Sequence, residues 1–457
     1  MRRGLIATVA ALAFAAPAHA GGPHLLFGGV ADVAKSQSLP ETKAKLDLLR
    51  LAGLQAVRVT VFWQPGAVTP AADDVRAVKN VASAARLDGL ALFVTVVNQF
   101  GRTAPTTDAD RADFAAFTTE LVRKVPTIDY LIVGNEPNLS RFWIPQFNDD
   151  GTDAAAPAYE ALLAQTYDAV KAAFPKERVL GGAVSPHGSD NPKSSSVTHS
   201  PTAFITDMGA AYAASGRTTK IMDGFVIHPY EDNSSIDPVA SVHPRTTTIA
   251  IADYDKLVAL LDTAFPGQAL PIYYGEFGVE TMIPPAKARL YTGTEPASVH
   301  AVDEQTQARY YQEAVQLAFC QPRVRALLIY LPIDEPDLNR WQSGVYYVDG
   351  TPKSTLPALR AAINEARRGI VAQCPGLQLT PRATAAVTRR ALSLTCDIDC
   401  NYLVRFGKRQ VRGVAIGAKR KVIRLPGLRG GQRVRVQLTA PVNPGPAKNL
   451  TLVAPRT

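Results

Sequence analysis

From Leu25 onward the chain alternates between short, near-continuously apolar runs and longer stretches whose apolar residues recur every three to four positions. The apolar runs read as strands over residues 25–30, 56–63, 91–97, 130–134, 179–185, 224–228, 271–275 and 326–331. Runs such as AVRVTVFW and ALFVTVV carry almost no polar positions, the pattern of strands covered on both faces in a parallel sheet. Between them, the 3.6-residue period predicts helices over 41–53, 73–88, 107–125, 159–174, 202–214, 252–265 and 304–319, with an eighth over 356–368. Eight repeats of strand then helix predict a (β/α)8 barrel, whose chemistry belongs at the C-terminal ends of its strands. The competing architecture, a doubly wound open sheet, is weakened because no glycine-rich phosphate turn follows the first strand. Long connections after strands 4, 5, 6 and 7, at 138–157, 186–201, 231–249 and 279–302, would wall one side of the mouth.

After Pro375 the period changes. LSLTC, YLVRFG, VRGVAIG, KVIRLPG, RVRVQLTA and LTLVA are short alternating strands split by Gly, Pro and Asp, which predicts a small all-β sandwich. The expected division is therefore a leader over 1–20, a catalytic barrel over 21–375 and a β-sandwich over 376–457. With 457 residues, 46% of them hydrophobic and 19% charged, the chain has the apolar content for a large core and is not a disordered one.

Three further features bear on where such a chain works. Met1-Arg2-Arg3, an apolar run over 5–16 and Ala18-His19-Ala20 form a basic start, a short hydrophobic region and an A-x-A site. They predict a secretory signal peptide cut after Ala20 and a secreted product; the run is shorter than the roughly 20 residues of a membrane span. Export makes the four cysteines candidates for two disulfides. Cys320 ends helix 7 and Cys374 lies just past its neighbour helix 8, while Cys396 and Cys400 flank a tight connection, so Cys320–Cys374 and Cys396–Cys400 are the expected pairs. The net charge of +9 hides a division. Residues 376–457 hold 16 Lys and Arg against 2 Asp and Glu, whereas residues 21–375 hold 31 against 38. The basic domain could meet a cell wall or another anionic surface. No nucleic-acid motif occurs, and nucleic acid is not an expected partner; a monomer is expected.

Candidate chemistry lies at two strand ends. Strand 4 runs YLIVGNEPN and places Asn135 and Glu136 at its C-terminal end; strand 7 runs PIYYGEFG and does the same for Glu276. Strands 4 and 7 face each other across a barrel mouth. Two carboxyl groups so placed are what glycosidic cleavage needs: one protonated to serve the leaving oxygen, one ionised to attack carbon or activate water. The expected partner is accordingly a carbohydrate or glycoside substrate, with no cofactor. There is no GxSxG elbow, no HExxH, and no metal-ligand spacing among the histidines.

GNEPN with GEFG on strands 4 and 7 of an eightfold barrel resembles the glycoside hydrolases of clan A, between the cellulase-like family 5 and the xylosidase-like family 39. The resemblance implies a retaining mechanism, with Glu136 as acid/base and Glu276 as nucleophile. It implies that Asn135 binds the sugar 2-hydroxyl, that Arg58 on strand 2 sits beside the nucleophile, and that His228 and Tyr230 of the strand-6 motif HPY line the site. Trp341 stands for the tryptophan that the clan places after strand 8, although it follows the strand by about ten residues, and Tyr330 competes for that place. By position, Trp63 and Asn98 end strands 2 and 3 and are expected to face the mouth. Trp143, with Phe142 and Phe147, is a candidate for stacking on the aglycone. Asp334 and Glu335 in the following loop could bind sugar hydroxyls, and are expected rather as rim charges. The expected activity is that of a β-glucosidase acting on small glycosides, extending to release of a disaccharide such as rutinose. The alternatives are an endo-β-1,4-glucanase or mannanase, and a non-catalytic carbohydrate-binding barrel.

Overall fold

The computed structural model describes residues 21–456; the expected signal peptide lies outside them. Eight parallel strands close into a barrel in sequence order: β1 (Leu26–Val30), β2 (Ala56–Trp63), β3 (Ala91–Asn98), β4 (Tyr130–Val133), β5 (Val179–Val184), β6 (Gly224–Ile227), β7 (Ile272–Phe277) and β8 (Val324–Ile329). Eight helices follow them: α1 (Leu39–Leu51), α2 (Ala72–Asp88), α3 (Asp108–Lys124), α4 (Ala155–Ala173), α5 (Pro201–Ala214), α6 (Tyr254–Ala264), α7 (Glu304–Cys320) and α8 (Thr355–Arg368). The chain is thus the expected (β/α)8 barrel. Strand 8 ends earlier than its apolar pattern suggested, so Tyr330 and Leu331 lie beyond it. The connection over 330–354 is long as well, so a fifth loop joins the four expected at the mouth.

The double burial of the strands has two destinations. One set of side chains, including Ala56, Phe93, Ile132, Leu180, Val226 and Ala326, fills the barrel interior. The alternate set, including Val57, Val59, Leu92, Val94, Leu131 and Ile272, packs outward under the helices in one continuous core. Period-two alternation therefore decides which residues can reach the mouth.

The C-terminal part forms seven strands: β9 (Ala383–Val387), β10 (Ala391–Cys396), β11 (Cys400–Phe406), β12 (Arg409–Ala415), β13 (Lys421–Arg424), β14 (Arg433–Thr439) and β15 (Lys448–Val453). They make two antiparallel sheets, ordered β13-β10-β9 and β12-β11-β14-β15, which share a core of residues such as Leu392, Leu394, Val404, Ile423, Val434 and Val436. This is the expected sandwich, with β9 additional to the six strands anticipated. It docks beneath the barrel. Leu377, Leu379, Ile398 and Ala440 join the barrel's outer core, Arg368 at the end of α8 makes a two-pronged ion pair with Asp399, and the Asn443 amide bonds the backbone of Ala372 and Cys374. Both expected disulfides are formed.

Candidate active site

β4 ends at Val133, and the chain then turns sharply. Gly134 takes φ +80°, and a Cβ there would meet the Tyr159 ring at 2.9 Å. The Tyr159 hydroxyl donates to the Val133 carbonyl at 2.7 Å and accepts from the Gly182 N–H at 2.8 Å, locking the ends of β4 and β5 together. Glu136 itself sits at φ +41°, a costly conformation for a residue with a side chain, held by its N–H on the Ala183 carbonyl at 2.7 Å. Asn138 adds a second clamp, accepting from the Ser185 N–H at 2.9 Å while its amide bonds the His199 carbonyl at 2.9 Å.

On the far side, the β7–β8 pairing slips between Tyr274 and Phe277. Tyr273 faces the interior and Tyr274 and Phe277 face the helices, so the slip is what lets Glu276 turn inward. Gly275 beside it leaves room for the His228 ring; a Cβ would stand 3.0 Å from that imidazole.

Arg58 ties these parts together. Its side chain is buried inside the barrel and every nitrogen is bonded. Nε donates to Thr95 Oγ1 at 2.7 Å, Nη1 to Glu276 Oε1 at 2.9 Å and the Gly275 carbonyl at 3.0 Å, and Nη2 to Asn135 Oδ1 at 3.0 Å. The second oxygen of Glu276 accepts from the Tyr230 hydroxyl at 2.9 Å. Glu276 therefore receives one hydrogen bond from a cation and one from a neutral hydroxyl, each from a group that keeps its own proton.

His228 is fully buried. Its Nδ1 lies 3.0 Å from Glu136 Oε1 and its Nε2 lies 3.4 Å from the Arg58 guanidinium. A guanidinium only donates, so Nε2 is the unprotonated nitrogen and Nδ1–H is the donor to Glu136, an assignment made from the partners. Burial pushes the imidazole down to about 4, against the pull of Glu276 and with the help of Arg58, so it is neutral near pH 7. Burial likewise pushes the Glu136 carboxyl up to about 7, opposed by the positive charges of Arg58 and Arg141. The two carboxyl groups thus live in opposite surroundings: Glu136 in a desolvated pocket with one neutral donor, Glu276 against a fixed cation.

The aromatic floor is shared. The Trp341 ring stands 5.1 Å from that of Tyr230 and 5.3 Å from that of Tyr330, so both candidates for the strand-8 position are present side by side. The Trp341 loop is held from below by a fully buried pair, Lys353 with Asp334, in which Lys353 Nζ also donates to Thr281 Oγ1 and the Gln342 carbonyl. Asp334 is consequently not the rim charge expected from sequence, while Glu335 accepts from the Trp341 N–H at 3.1 Å.

Three expected site residues lie elsewhere. Trp63 is fully buried on the outer face of β2, its ring 5.5 Å from Phe114 of α3 and its Nε1 on the Ala67 carbonyl. Trp143 is buried against Tyr159 of α4 at 5.9 Å and packs the scaffold rather than offering a stacking surface. Asn98 is buried too, and its amide is spent on the Phe100 and Phe142 carbonyls, tying two loops together. Of the other stacking candidates, Phe147 packs on His199 and Phe142 lies beneath Arg141. Conversely, Thr95 was missed, though a polar residue within an apolar strand was its signal. His187 was missed as well; just past β5, it adds a positive influence on Glu136 when protonated.

Among the described residues, Glu136, His228 and Glu276 are the one acidic and histidine group compact enough to hold a cation, with donor atoms within 4.8 Å of one another. The donor set argues against that use. The Arg58 guanidinium already stands 2.9 Å from Glu276 and 3.4 Å from His228, and it supplies the positive charge an ion would bring. What the arrangement can do is hold a carboxyl raised to about 7 opposite a second carboxyl that a fixed cation contacts, with an oxygen of each within 4.8 Å of the other.

No family model matches the chain, and no curated protein does. Its fold has relatives among solved structures. A family 39 glycoside hydrolase from Bacteroides cellulosilyticus aligns with a TM-score of 0.54 at 15% identity, over 88% of this chain and 81% of that one. A family 5 subfamily 18 glycoside hydrolase variant from Streptomyces cattleya, solved with Manβ1-4GlcNAc, gives 0.53 at 16% identity over 80% and 84%. Its counterpart from Bifidobacterium longum gives 0.51 at 15% over 80% and 82%. At these identities the likeness is one of fold, and the fold is the eight-stranded barrel of the clan A glycoside hydrolases that the two motifs resemble.

Proposed function

We propose that the chain is a retaining β-glycoside hydrolase, with Glu136 as acid/base and Glu276 as nucleophile. One observation carries the reading: an oxygen of Glu136 and an oxygen of Glu276 lie within 4.8 Å of each other, with Arg58 and Tyr230 on Glu276 and His228 on Glu136. Double displacement uses carboxyl groups about 5–5.5 Å apart, whereas inversion needs about 6.5–9.5 Å to admit a water.

The chemistry follows from the surroundings of each group. His228 Nδ1–H donates to Glu136 Oε1, which leaves Oε2 to carry the acidic proton. In the first step that proton passes to the glycosidic oxygen as the C1–O bond breaks, and a Glu276 oxygen forms a bond to C1. Arg58 and Tyr230 hold the attacking carboxylate in line and keep hydrogen bonds on it as its charge falls. In the second step Glu136, now a carboxylate, takes a proton from water as that water's oxygen bonds C1 and Glu276 leaves. The anomeric configuration is inverted twice. Asn135, fixed by Arg58, is placed to bond a hydroxyl of the sugar, and Tyr230, Tyr330 and Trp341 offer rings to its apolar face.

The substrate reading is a small β-glycoside, on the model of a β-glucosidase that extends to disaccharide-releasing action. It is supported by the long connections around the mouth, which favour a closed pocket over an open cleft, and it accords with the disaccharide bound by the family 5 neighbours. The signal-like N-terminus supports action outside the cell. Hydrolysis of aryl β-glycosides, rutinosides and soluble β-glucans or mannans, with product anomers followed by proton NMR, tests all of this. Initial release of the β-anomer from a small glycoside is expected. Initial release of the α-anomer would overturn retention, and turnover of polymers alone would favour the endo-glucanase or mannanase reading.

A further inference from the structure

The outer face of the β12-β11-β14-β15 sheet has an unusual composition. Alternation sends Arg405 of β11, Arg412 of β12 and Arg433 and Arg435 of β14 outward, and all four are exposed. Arg405 and Arg435 are direct cross-strand partners, and Gln410 flanks Arg405 on its other side. Like charges set opposite each other destabilise a sheet. No carboxylate on this face relieves them. The two acidic residues of residues 376–457 are Asp397 and Asp399. Asp399 is engaged by Arg368 and the Gly417 N–H, and Asp397 by the Arg382 and Ile398 N–H groups, at the junction with the barrel. Among the described residues none of the four arginines has an ion-pair partner.

We propose that this face binds a linear, carboxylate-bearing polysaccharide. Strand geometry sets neighbouring backbones about 5 Å apart and same-face positions along a strand about 7 Å apart. Arg405 therefore lies across from Arg435, Arg433 lies along the strand from Arg435, and Arg412 stands diagonal to Arg405, a spacing that arginine side chains can fit to carboxylates on successive sugar rings. All four cations are arginine and none is lysine, the choice for two-pronged pairing with a planar carboxylate. No aromatic ring stands on this face, so stacking on a neutral sugar is not its chemistry. The sandwich sits under the barrel, on the side away from the Glu136–Glu276 mouth. The face therefore tethers the protein to an acidic matrix and does not feed the catalytic pocket. The proposal goes beyond the hydrolase reading and does not depend on it.

The test is affinity electrophoresis of the full-length protein in gels containing polygalacturonate. Retardation is expected at low salt and should fade as the ionic strength rises to about 0.5 M. Arg405→Gln, Arg412→Gln, Arg433→Gln and Arg435→Gln combined should weaken it roughly tenfold or more. A control with the same charge change on the opposite sheet and its hairpin (Arg389→Gln, Arg390→Gln, Lys421→Gln and Arg424→Gln) should keep most of it. An equal loss in both variants would show that net charge alone acts and would overturn the face. So would absence of retardation in the wild type, or equal binding to vesicles rich in anionic phospholipid. Circular dichroism on both variants checks folding, and binding is read without any turnover.

Discussion

At the residue scale the site is a balance around two carboxyl groups, and Glu136 carries the more unusual burden. A carboxyl raised to about 7 in the folded state and near its ordinary value in the unfolded chain makes folding bind a proton between those values. Stability is therefore lost as pH rises from about 4.5 to about 7 and stays lower above that. Glu136→Gln has no such proton to give up. We expect it to match the wild type at pH 4 and to exceed it at pH 8, by at most about 3 kcal/mol; denaturant midpoints at the two pH values measure this, and an unchanged difference would contradict the raised carboxyl. Turnover of the wild type should fall over the same rise in pH. The wild type should lose kcat/KM as pH passes about 7 and the acid proton leaves, and Glu136→Gln should lose that limb. On aryl glycosides with good leaving groups the variant should keep kcat/KM for the first step, while kcat falls because the second step has lost its base. Glu276→Gln should instead cut turnover about 10⁴-fold or more on every substrate, and because it leaves the buried Arg58 without its anion it should lower the melting point as well. Both glutamates were legible in the sequence because each ends an apolar strand inside a short polar motif. The errors at Trp63 and Asn98 have one cause. Arg58 points into the barrel and Trp63 lies an odd number of residues further along the same strand; Asn98 stands in the same relation to Thr95. Strand alternation sends both to the helix side, so the parity that placed Arg58 already excluded them.

At the element scale the apolar periods located every barrel strand and helix, because each strand needs two covered faces and each helix one. What they could not show is where a strand breaks its own alternation. The slips that turn Glu276 inward on β7, and that fall between Gly182 and Val184 on β5, are backbone irregularities with no side-chain signature beyond a glycine. Strand β9 escaped notice because Ala-Thr-Ala-Ala-Val has too little bulk to alternate visibly. Four of the loops at the mouth were legible in length but none in fixation; the fifth, after strand 8, is fixed by the buried Lys353–Asp334 pair. Lys353→Met strands an uncompensated carboxylate beneath Trp341 and should cost about 3–5 kcal/mol. Lys353→Met with Asp334→Leu should recover most of that, which thermal melts of the single and double variants would show. The two disulfides should differ in a related way. Cys320–Cys374 closes a separation of 54 residues and Cys396–Cys400 one of 4. Loop entropy assigns about 4 kcal/mol to the first and about 2 to the second. Pairwise serine variants compared by denaturant unfolding check the order, and a larger effect at Cys396–Cys400 would contradict it.

At the scale of the whole molecule, the sequence divides sharply in charge and period at about Pro375, yet the structure joins the two parts through apolar contact. Leu377, Leu379, Ile398 and Ala440 belong to the same core as the barrel helices, and the Cys320–Cys374 bridge fastens the last barrel segment just before the sandwich begins. A chain cut at 375 would expose this underside, so removing the sandwich is a poor way to ask what the sandwich binds. Point changes on its outer face leave the junction intact. The junction also makes a prediction of its own. Asp399 is almost fully buried, accepts two hydrogen bonds from Arg368 across the junction and one from the Gly417 N–H. It joins the end of α8 to the turn after β12 and is the charged pin of a largely apolar contact, beside the Asn443 bonds to Ala372 and Cys374. With the pin in place, barrel and sandwich should unfold in one calorimetric transition. Asp399→Ala leaves both cores intact but removes the pin and leaves donors unpaired at the junction. It should split the endotherm, the sandwich melting first because it has far less core to lose. A single transition in the variant, lowered as a unit, would mean that the apolar contact alone holds the parts together; two transitions already in the wild type would mean that the junction does not couple them at all.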